Sequence, residues 1–342
     1  MDWIRRSLME NFGAPFHWLA SGDQSFTLNE VPDLSGKVGL VTGGSEGVGF
    51  GSTYTLLSHN ISKLFVLSLH KEKMDEALKK IEEELGVKAR QAVDWRQCDL
   101  SDWEQTSKVA TDICKNTDRM DIVINNAARG IMTRQLAPTN GIDLHMAGNH
   151  FGHVVLVSHL LPLLKRTAEK GNKVRIVNVV SNLHAAGSFV AEFASVDELN
   201  KDYGPTIQYG RSKLAELLHA KWLAQHVTPQ HPNILVNAAY PGIVDTAQTN
   251  DHIHEAHPVI GYGMSVGLKP FRKNIWDGCV SSMYAATVCE DSGLYITSPK
   301  IVEDGDPRAN DMELAERLMN LTKKVVDERT KARGEGCPLQ LT

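Results

Sequence analysis

The sequence predicts an α/β fold: a single domain built on a doubly wound parallel sheet with helices on both faces. Short apolar runs, typical of buried strands, alternate along the chain with stretches of helical periodicity. This alternation is the pattern of repeated strand–helix–strand units, whose crossovers are expected to be right-handed. The first apolar run also leads directly into a glycine-rich turn and a helical stretch, as the first unit of such a sheet requires.

The individual elements are predicted in chain order from these patterns. Five apolar runs are predicted strands, at residues 37–42, 62–68, 121–125, 174–180 and 234–239. The helix after the second strand is predicted from apolar residues at helical intervals, namely Met74, Leu78, Ile81 and Leu85. A further strand is predicted to end at Asp99-Leu100, and a capping box at residues 101–104 (Ser-Asp-Trp-Glu) predicts the start of the helix that follows.

The turn after the first strand reads Thr-Gly-Gly-Ser-Glu-Gly-Val-Gly over residues 42–49. Its glycines, Gly43, Gly47 and Gly49, follow the spacing GxxxGxG and not the more common GxGxxG. Glycines allow a tight turn and a close backbone approach, and the helix that follows offers free N–H groups to a phosphate. An ordinary glycine-rich connection is the alternative, but the strand before and the helix after favour a phosphate site.

Tyr209 and Lys213 lie four residues apart, so a helix would place both side chains on one face. A neighbouring cation favours the phenolate and lowers the pKa of a phenol, which would let the tyrosine exchange protons near neutral pH. The spacing alone also fits a surface lysine beside a half-buried tyrosine. What lies upstream therefore decides the interpretation.

These two motifs and three others resemble motifs of the short-chain dehydrogenase/reductase family, which has a Rossmann-like fold. All five occur along the chain in the order found in that family. The others are Asn125-Asn126-Ala127-Ala128, Cys98-Asp99-Leu100 and Pro241-Gly242. Ala128 stands where the family motif has glycine. The resemblance covers residues 36–300. The long segment of residues 182–208, followed by Tyr209-x-Arg211-Ser212-Lys213-Leu214-Ala215, is similar to the retinol-dehydrogenase-like branch and to related fungal oxidoreductases.

The resemblance implies four catalytic residues. Tyr209 would exchange the proton, Lys213 would lower the tyrosine pKa and bind the nicotinamide ribose, Ser181 would orient the substrate oxygen, and Asn149 would anchor a water that links the lysine to solvent. From the residues alone, Ser181 also fits a strand-end turn and Asn149 a buried amide bonded to backbone. The implied cofactor-binding residues are Thr42, Gly43, Ser45, Glu46, Gly47, Val48, Gly49, His70, Lys71, Asp99, Leu100, Asn126, Ala127, Ala128, Tyr209, Lys213, Pro241, Gly242, Val244 and Thr246.

The end of the second predicted strand favours NADP over NAD, although NAD remains possible. An acidic residue there would bind the ribose 2′-hydroxyl of NAD, but the chain reads Ser-Leu-His-Lys from residue 68. His70 and Lys71 are placed to face a 2′-phosphate. Glu46 opposes this choice, because many NADP-dependent relatives carry a basic residue in the glycine turn.

Composition excludes several other classes of protein. The formal net charge is −5 and no basic block occurs, so nucleic acid is not an expected partner. The five cysteines lack the spacing of metal or disulfide sites, which predicts reduced thiols, no metal and a cytoplasmic protein, with membrane-peripheral and mitochondrial locations as alternatives. No apolar run is long enough to span a membrane.

The chain is predicted to comprise an N-terminal extension (residues 1–35), the catalytic domain (36–325) and a loose tail (326–342). Within the domain, residues 245–280 are rich in glycine and proline and are predicted to cover the substrate. The apolar, helically spaced residues 1–20 fit a helix that packs on the domain or on a second subunit, or one that contacts a membrane surface. They carry too few arginines for a typical mitochondrial segment.

The sequence thus predicts an NAD(P)-dependent oxidoreductase, of ketoreductase type, that transfers a hydride between nicotinamide and an apolar carbonyl or alcohol. The resemblance also implies a homo-oligomer. Two alternatives are an epimerase- or dehydratase-type enzyme of the same fold and a non-catalytic NADP-binding protein.

Overall fold

The computed structural model describes residues 25–244, 273–334 and 336–341. Within them the chain forms an eight-stranded sheet of order β3-β2-β1-β4-β5-β6-β7-β8. The strands are β1 Val38–Thr42, β2 Lys63–Ser68, β3 Val93–Gln97, β4 Ile122–Asn125, β5 Val174–Val179, β6 Ile234–Tyr240, β7 Tyr295–Thr297 and β8 Ile301–Glu303. All neighbouring strands are parallel except β7 and β8.

Helices cover both faces of this sheet. The α-helices are α1 Gly47–Ser58, α2 Lys71–Leu85, α3 Val87–Gln91, α4 Trp103–Asn116, α5 His153–Glu169, α6 His184–Ser188, α7 Val196–Asn200, α8 Pro205–His226, α9 Ile275–Thr287 and α10 Met312–Lys331. A π-helical turn, His145–Gly152, leads into α5. Short 3₁₀ turns span Leu28–Glu30 and Pro307–Asn310.

The predicted fold class is confirmed, and the five predicted strand runs agree with the structure to within one residue. The central strands are mostly apolar and are buried along their whole length, as expected of strands covered on both faces. The sequence did not predict β7 and β8, which are only three residues each. The helix predicted after the second strand is α2, which buries Met74, Leu78 and Ile81.

Two boundaries near Asp99 differ from the predictions. β3 ends at Gln97, two residues before Asp99. The predicted capping box is wrong, because α4 begins at Trp103 and its cap is Asp102, whose side chain accepts the N–H of Gln105. Ser101 instead donates its hydroxyl to the Asp99 carboxylate.

Each face of the sheet has its own apolar core. On one face, α4, α5, α8 and α10 contribute residues such as Trp103, Leu160, Leu218 and Leu318. On the other face, α1, α2 and α9 contribute Leu56, Met74 and Met283. The two layers hold the strand ends rigidly, so that loops at one edge of the sheet can position chemical groups.

The described ends of the chain pack on the domain. Before β1, the Phe26 ring contacts the Tyr284 ring of α9 at 5.4 Å between centroids. The tail predicted to be loose differs in the structure, since Cys337 is buried and the backbone N–H of Gln340 donates to Ser158 Oγ at 2.5 Å. Apolar side chains of α10, among them Val326, anchor this segment. Among the described residues, no helix has the length and apolar character needed to cross a membrane.

Candidate active site

The predicted site residues collect at the edge of the sheet where the parallel strands end. This is the edge where open α/β sheets bind ligands. Thr42 ends β1 and Asn125 ends β4, while Ser181 follows β5 by two residues and Pro241-Gly242 follows β6. Residues far apart in the sequence are therefore brought to one crevice.

The glycine turn is shaped for close backbone approach. Gly43 and Gly47 have φ values of 62° and 55°, a region that side chains disfavour. A Cβ on Gly49 would lie 2.1 Å from the carbonyl oxygen of Gly43. The first turn of α1 has no side-chain cap, because Glu46 makes no capping hydrogen bond. Its N–H groups and the positive end of the helix dipole thus fit a pyrophosphate.

Thr42 joins this turn to the end of β4. Its Oγ1 accepts the backbone N–H groups of Asn126 and Ala127, both at 2.9 Å. The Asn126 side chain donates to the Thr42 carbonyl at 3.0 Å. Ala128 follows Ala127 and is partly buried. The two motifs singled out in the sequence therefore form one rigid unit.

Val48 and Val244 both lie against Gly278 of α9. A Cβ on Gly278 of α9 would lie 2.6 Å from Val244 and 3.2 Å from Val48, so the three residues are in close contact. The backbone turns at Gly242, whose φ is 87°. Thr246 and residues 245–272 of the predicted substrate cover lie outside the described residues.

Asp99 and Leu100 border the same crevice behind β3. The Asp99 carboxylate accepts the backbone N–H and the hydroxyl of Ser101, both at 2.8 Å. Leu100 packs against the start of α5, where a Cβ on Gly152 would lie 2.2 Å from the Leu100 carbonyl oxygen. These contacts fix the direction of the carboxylate that the family resemblance assigns to the adenine.

The end of β2 carries no acidic side chain. Ser68 Oγ accepts the indole N–H of Trp95 at 2.9 Å. His70 is exposed and forms the N-cap position of α2. Lys71, the first residue of α2, pairs with Asp75 at 2.5 Å.

A second lysine of α2 reaches the glycine turn. Lys73 Nζ lies 3.6 Å from Glu46 Oε1 and 3.4 Å from Glu76 Oε2. The charges of these two carboxylates raise the pKa of Lys73, so it is a cation at neutral pH. The sequence analysis missed this residue, because its proximity to Glu46 depends on how α2 packs beside α1.

Ser181, Tyr209 and Lys213 come together beside the crevice. Tyr209 and Lys213 both lie on α8, and Lys213 Nζ is 5.7 Å from the centroid of the Tyr209 ring. The Ser181 side chain interacts with the Tyr209 phenol and favours its ionised form. The serine hydroxyl also accepts the backbone N–H of Leu183 at 3.2 Å, which fixes its position at the end of β5.

The tight packing of α6 on α8 aligns Ser181 with Tyr209. A Cβ on Gly187 would lie 2.1 Å from the backbone nitrogen of Arg211, and a Cβ on Gly210 would lie 2.3 Å from the Leu183 carbonyl oxygen. The two helices therefore touch through their backbones. This contact brings the residues that follow Ser181 directly against the first turns of α8.

Burial raises the pKa of the Tyr209 phenol above its ordinary value. The charge of Lys213 and the interaction with Ser181 act in the opposite direction, while the charge of Glu216 adds to the increase. Lys213 thus has the predicted sign of effect on Tyr209, but it does not outweigh burial. Tyr209 is consequently protonated at neutral pH in this arrangement.

Asn149 lies in the π-helical turn, a feature often found at functional sites. Its Oδ1 accepts the N–H of Arg129 at 2.7 Å, and its Nδ2 donates to the Arg129 carbonyl at 3.1 Å and to Ser212 Oγ at 2.8 Å. The side chain therefore joins the segment after β4 to α8. The predicted water relay through Asn149 stays a prediction.

Two buried residues missed by the sequence analysis lie directly behind Lys213. Glu216 Oε2 accepts a hydrogen bond from Lys213 Nζ at 2.7 Å, and His153 Nδ1 lies 3.2 Å from Glu216 Oε1. A signal for Glu216 was present, because it follows Lys213 by three residues on a predicted helix and so faces the same side. No comparable signal links His153, on α5, to α8.

Comparisons with known proteins identify the family of this chain. A family model described as short chain dehydrogenase matches residues 37–256. The Neurospora crassa protein named as oxidoreductase bli-4, mitochondrial, is 48% identical over 346 residues, which cover 99% of this chain and 83% of that protein. The polyprenol dehydrogenase of Danio rerio is 29% identical over 279 residues, covering 80% of each chain.

The fold also has solved counterparts. A crystal structure of an uncharacterised Mycobacterium paratuberculosis protein superposes with a TM-score of 0.66 at 21% identity, covering 88% of this chain and 97% of the other. This likeness concerns the fold alone. The family match covers more than half of the residues. The chain therefore belongs to the short-chain dehydrogenase/reductase family of oxidoreductases.

Proposed function

We propose that the protein reduces the carbonyl group of an apolar substrate with NADPH, using Tyr209 as the proton donor. The observation that supports this most directly is the position of the Lys213 ammonium, 5.7 Å from the centroid of the Tyr209 ring, with Ser181 acting on the same phenol. All three lie near a glycine turn that fits a pyrophosphate. When bound, the nicotinamide supplies the hydride.

The residues of this chain divide the remaining work between them. The hydroxyls of Ser181 and Tyr209 would hold the substrate oxygen, since the two side chains interact beside the crevice. Tyr209 would give its proton to that oxygen as negative charge develops there. Lys213 would then stabilise the resulting phenolate. The raised pKa of Tyr209 favours the reductive direction, which needs the protonated phenol.

Phosphates of the cofactor would lie at the start of α1, where Gly43, Gly47 and Gly49 leave space for backbone approach. The adenine would lie near Asp99 and the nicotinamide ribose near Lys213. These placements follow from the family resemblance and from the crevice geometry.

Three basic residues near the end of β2 support NADPH over NADH. His70 and Lys71 begin α2, and Lys73 neutralises Glu46 in the glycine turn. The neighbouring helix would thus supply the cation that many NADP-dependent relatives carry in the turn itself.

Kinetics with both cofactors test this choice. NADPH is expected to have the lower KM, and Lys73→Ala should raise the NADPH KM by up to about fivefold, as for an exposed ionic contact, with little change for NADH. Lys79→Ala is a matched control, because Lys79 lies on the same helix and is more exposed. A strong NADH preference in the unaltered protein would overturn the proposal.

Two observations support an apolar substrate. Phe189, directly after α6, is 85% exposed, so its ring is available to an apolar ligand that approaches Ser181. One relative with 29% identity is named for a lipid alcohol, polyprenol. Because each buried methylene contributes about 0.8 kcal/mol, kcat/KM should rise with the chain length of an aldehyde or ketone.

The compartment is proposed on narrower grounds. The bli-4 relative carries the word mitochondrial in its name, which favours that alternative over the cytoplasmic prediction. Fractionation of cells that express the full chain distinguishes the two.

The central experiment compares the unaltered protein with Tyr209→Phe on a panel of aldehydes and ketones of increasing chain length. Loss of the phenolic proton should lower kcat by about 10²- to 10⁴-fold, while NADPH binding, followed by fluorescence, is retained. Near-normal turnover by Tyr209→Phe would contradict the assignment. Cofactor binding without turnover on any substrate would instead support the non-catalytic alternative.

A further inference from the structure

A buried ion pair lies behind the proposed catalytic residues. Lys213 Nζ donates to Glu216 Oε2 at 2.7 Å and to the Val179 carbonyl at 2.8 Å. The side chains of Lys213 and Glu216 are only 2% and 1% exposed. Because an unpaired buried charge costs several kcal/mol, the ammonium and the carboxylate each require the other.

His153 approaches the same carboxylate but as a neutral group. Thr42 Oγ1 accepts two backbone N–H groups, from residues 126 and 127, which use both of its lone pairs. Its hydroxyl proton must therefore go to His153 Nε2, 2.8 Å away. The imidazole then carries its own proton on Nδ1, which donates to the Asn149 carbonyl at 2.6 Å. The His153 Nδ1–H group, 3.2 Å from Glu216 Oε1, is thus part of a neutral ring and not of a cation.

The other titratable groups around Glu216 are also uncharged. His219, on α8, has a pKa lowered to about 3, chiefly by burial. Burial likewise holds the pKa of His150, in the π-helical turn, well below its ordinary value. Tyr209 is protonated, as described above. Within the residues that the structure describes, Lys213 is therefore the cation that balances Glu216.

We propose that Glu216 is a positioning residue for the proposed reaction: its carboxylate keeps the buried Lys213 charged and holds the ammonium beside the Tyr209 ring. The proposal rests on the function assigned to Lys213 above. Burial alone opposes the charge on Lys213, and the charge of Glu216 reverses this effect, so that the pKa of Lys213 is raised. The charged ammonium is in turn what favours the Tyr209 phenolate.

Substitution of Glu216 by glutamine removes the charge and keeps the shape. In Glu216→Gln, Lys213 should lose its proton at lower pH than in the unaltered protein, as followed by NMR of ¹³C-labelled lysine with Lys213→Met used to assign the signal. The alkaline limb of the pH profile for carbonyl reduction should move to lower pH in parallel, and kcat should fall about tenfold. Glu216→Asp restores the charge and should return both curves towards the original.

Glu313→Gln is the matched control, because it removes a carboxylate that is exposed on α10, and neither curve should move. An unchanged Lys213 titration in Glu216→Gln would overturn the proposal, and so would a shifted titration with an unchanged alkaline limb. The NMR measurement does not depend on turnover. A failure of the proposed function, seen as full activity in Tyr209→Phe, is therefore distinguishable from a failure of this inference.

A second comparison applies where Glu216→Gln does not fold. The double variant Lys213→Met/Glu216→Leu removes both buried charges, and replacing a buried pair by apolar residues is commonly tolerated where removing one partner is not. Folding of the double variant, followed by circular dichroism, supports the pairing. Unfolding of both variants contradicts it.

Discussion

Gly49 shows how one residue permits the close packing of α1 on the turn after β1. A Cβ at this position would lie 2.1 Å from the Gly43 carbonyl oxygen and 2.4 Å from Asn126 Nδ2. Both atoms belong to the unit that joins β1 and β4, so neither can move without disturbing the strand ends. Only glycine lets α1 begin this close to the strand.

Gly49→Ala should therefore weaken NADPH binding at least about tenfold and lower the free energy of unfolding by about 1–3 kcal/mol, as for overpacked sites. Fluorescence titration and thermal unfolding measure the two effects. Gly334→Ala is the control, because no atom lies within 4 Å of a Cβ built there. Tight NADPH binding by Gly49→Ala would contradict this expectation, because it would mean that the glycine turn can accommodate the added Cβ.

Tyr209 illustrates what a pair of residues in the sequence leaves open. The spacing to Lys213 predicted a lowered pKa, and the structure does place the ammonium beside the ring. Burial outweighs this effect, because removing a phenolate from water costs more free energy than the attraction of one cation recovers. The charge of that cation is in addition neutralised by Glu216. A motif thus states which groups meet but not how far each is desolvated.

At the scale of elements, the segment between Ser181 and Tyr209 acts as a structural brace. Arg211 is buried and donates to the carbonyl oxygens of Glu198 and Leu199, at 2.7 Å and 2.5 Å. These bonds tie α7 to α8. Within the Tyr-x-Arg-Ser-Lys run, Arg211 therefore anchors the segment that contains α7, while Tyr209 faces the crevice.

Gly187→Ala tests the contact between α6 and α8. The added Cβ would meet backbone atoms of Gly210 and Arg211 at 2.1–2.5 Å, which cannot yield as a flexible side chain would. We expect a lower melting temperature, equivalent to about 1–3 kcal/mol, and a reduced kcat because Ser181 shifts relative to Tyr209. Ala186→Ser also adds one atom to α6, but at a partly exposed position, and should change both quantities little.

At the scale of the whole molecule, three buried histidines link stability to pH. Burial lowers the pKa of His150, His184 and His219, the last to about 3. Two of them bond across elements, since His150 meets Thr322 of α10 at 2.8 Å and His184 accepts the N–H of Asp306 at 3.0 Å. The fold therefore requires their neutral forms.

Acidification should consequently destabilise the protein. Below the ordinary histidine pKa of 6.5, the unfolded chain binds protons that the folded chain does not. Each of these histidines should thus lower the free energy of unfolding of the protein by up to about 2 kcal/mol by about pH 5. Denaturant unfolding across this range measures the slope of the free energy of unfolding against pH. His219→Gln should flatten this slope, and the exposed His70→Gln should leave it unchanged. A slope that His219→Gln does not alter would contradict the account.

Most of the fold could be predicted because its signals are local. Apolar runs and helical spacing marked the strands and α2, and glycines marked the turn after β1. Among the strands, the two that were missed, β7 and β8, are only three residues long and carry weak local signals. The packed segment after α10 was missed because its burial depends on contacts such as that of Gln340 with Ser158.

The sequence by itself determined the fold class, the family and the order of the motifs, because these depend on residue types at fixed spacings along the chain. Only the tertiary structure decided which charges face each other. Lys73 meets Glu46 through the packing of α2 beside α1. Glu216 meets His153 where α8 lies against the π-helical turn that leads into α5. Electrostatic effects depend on distance and burial, and both are set by packing between elements that no local pattern encodes.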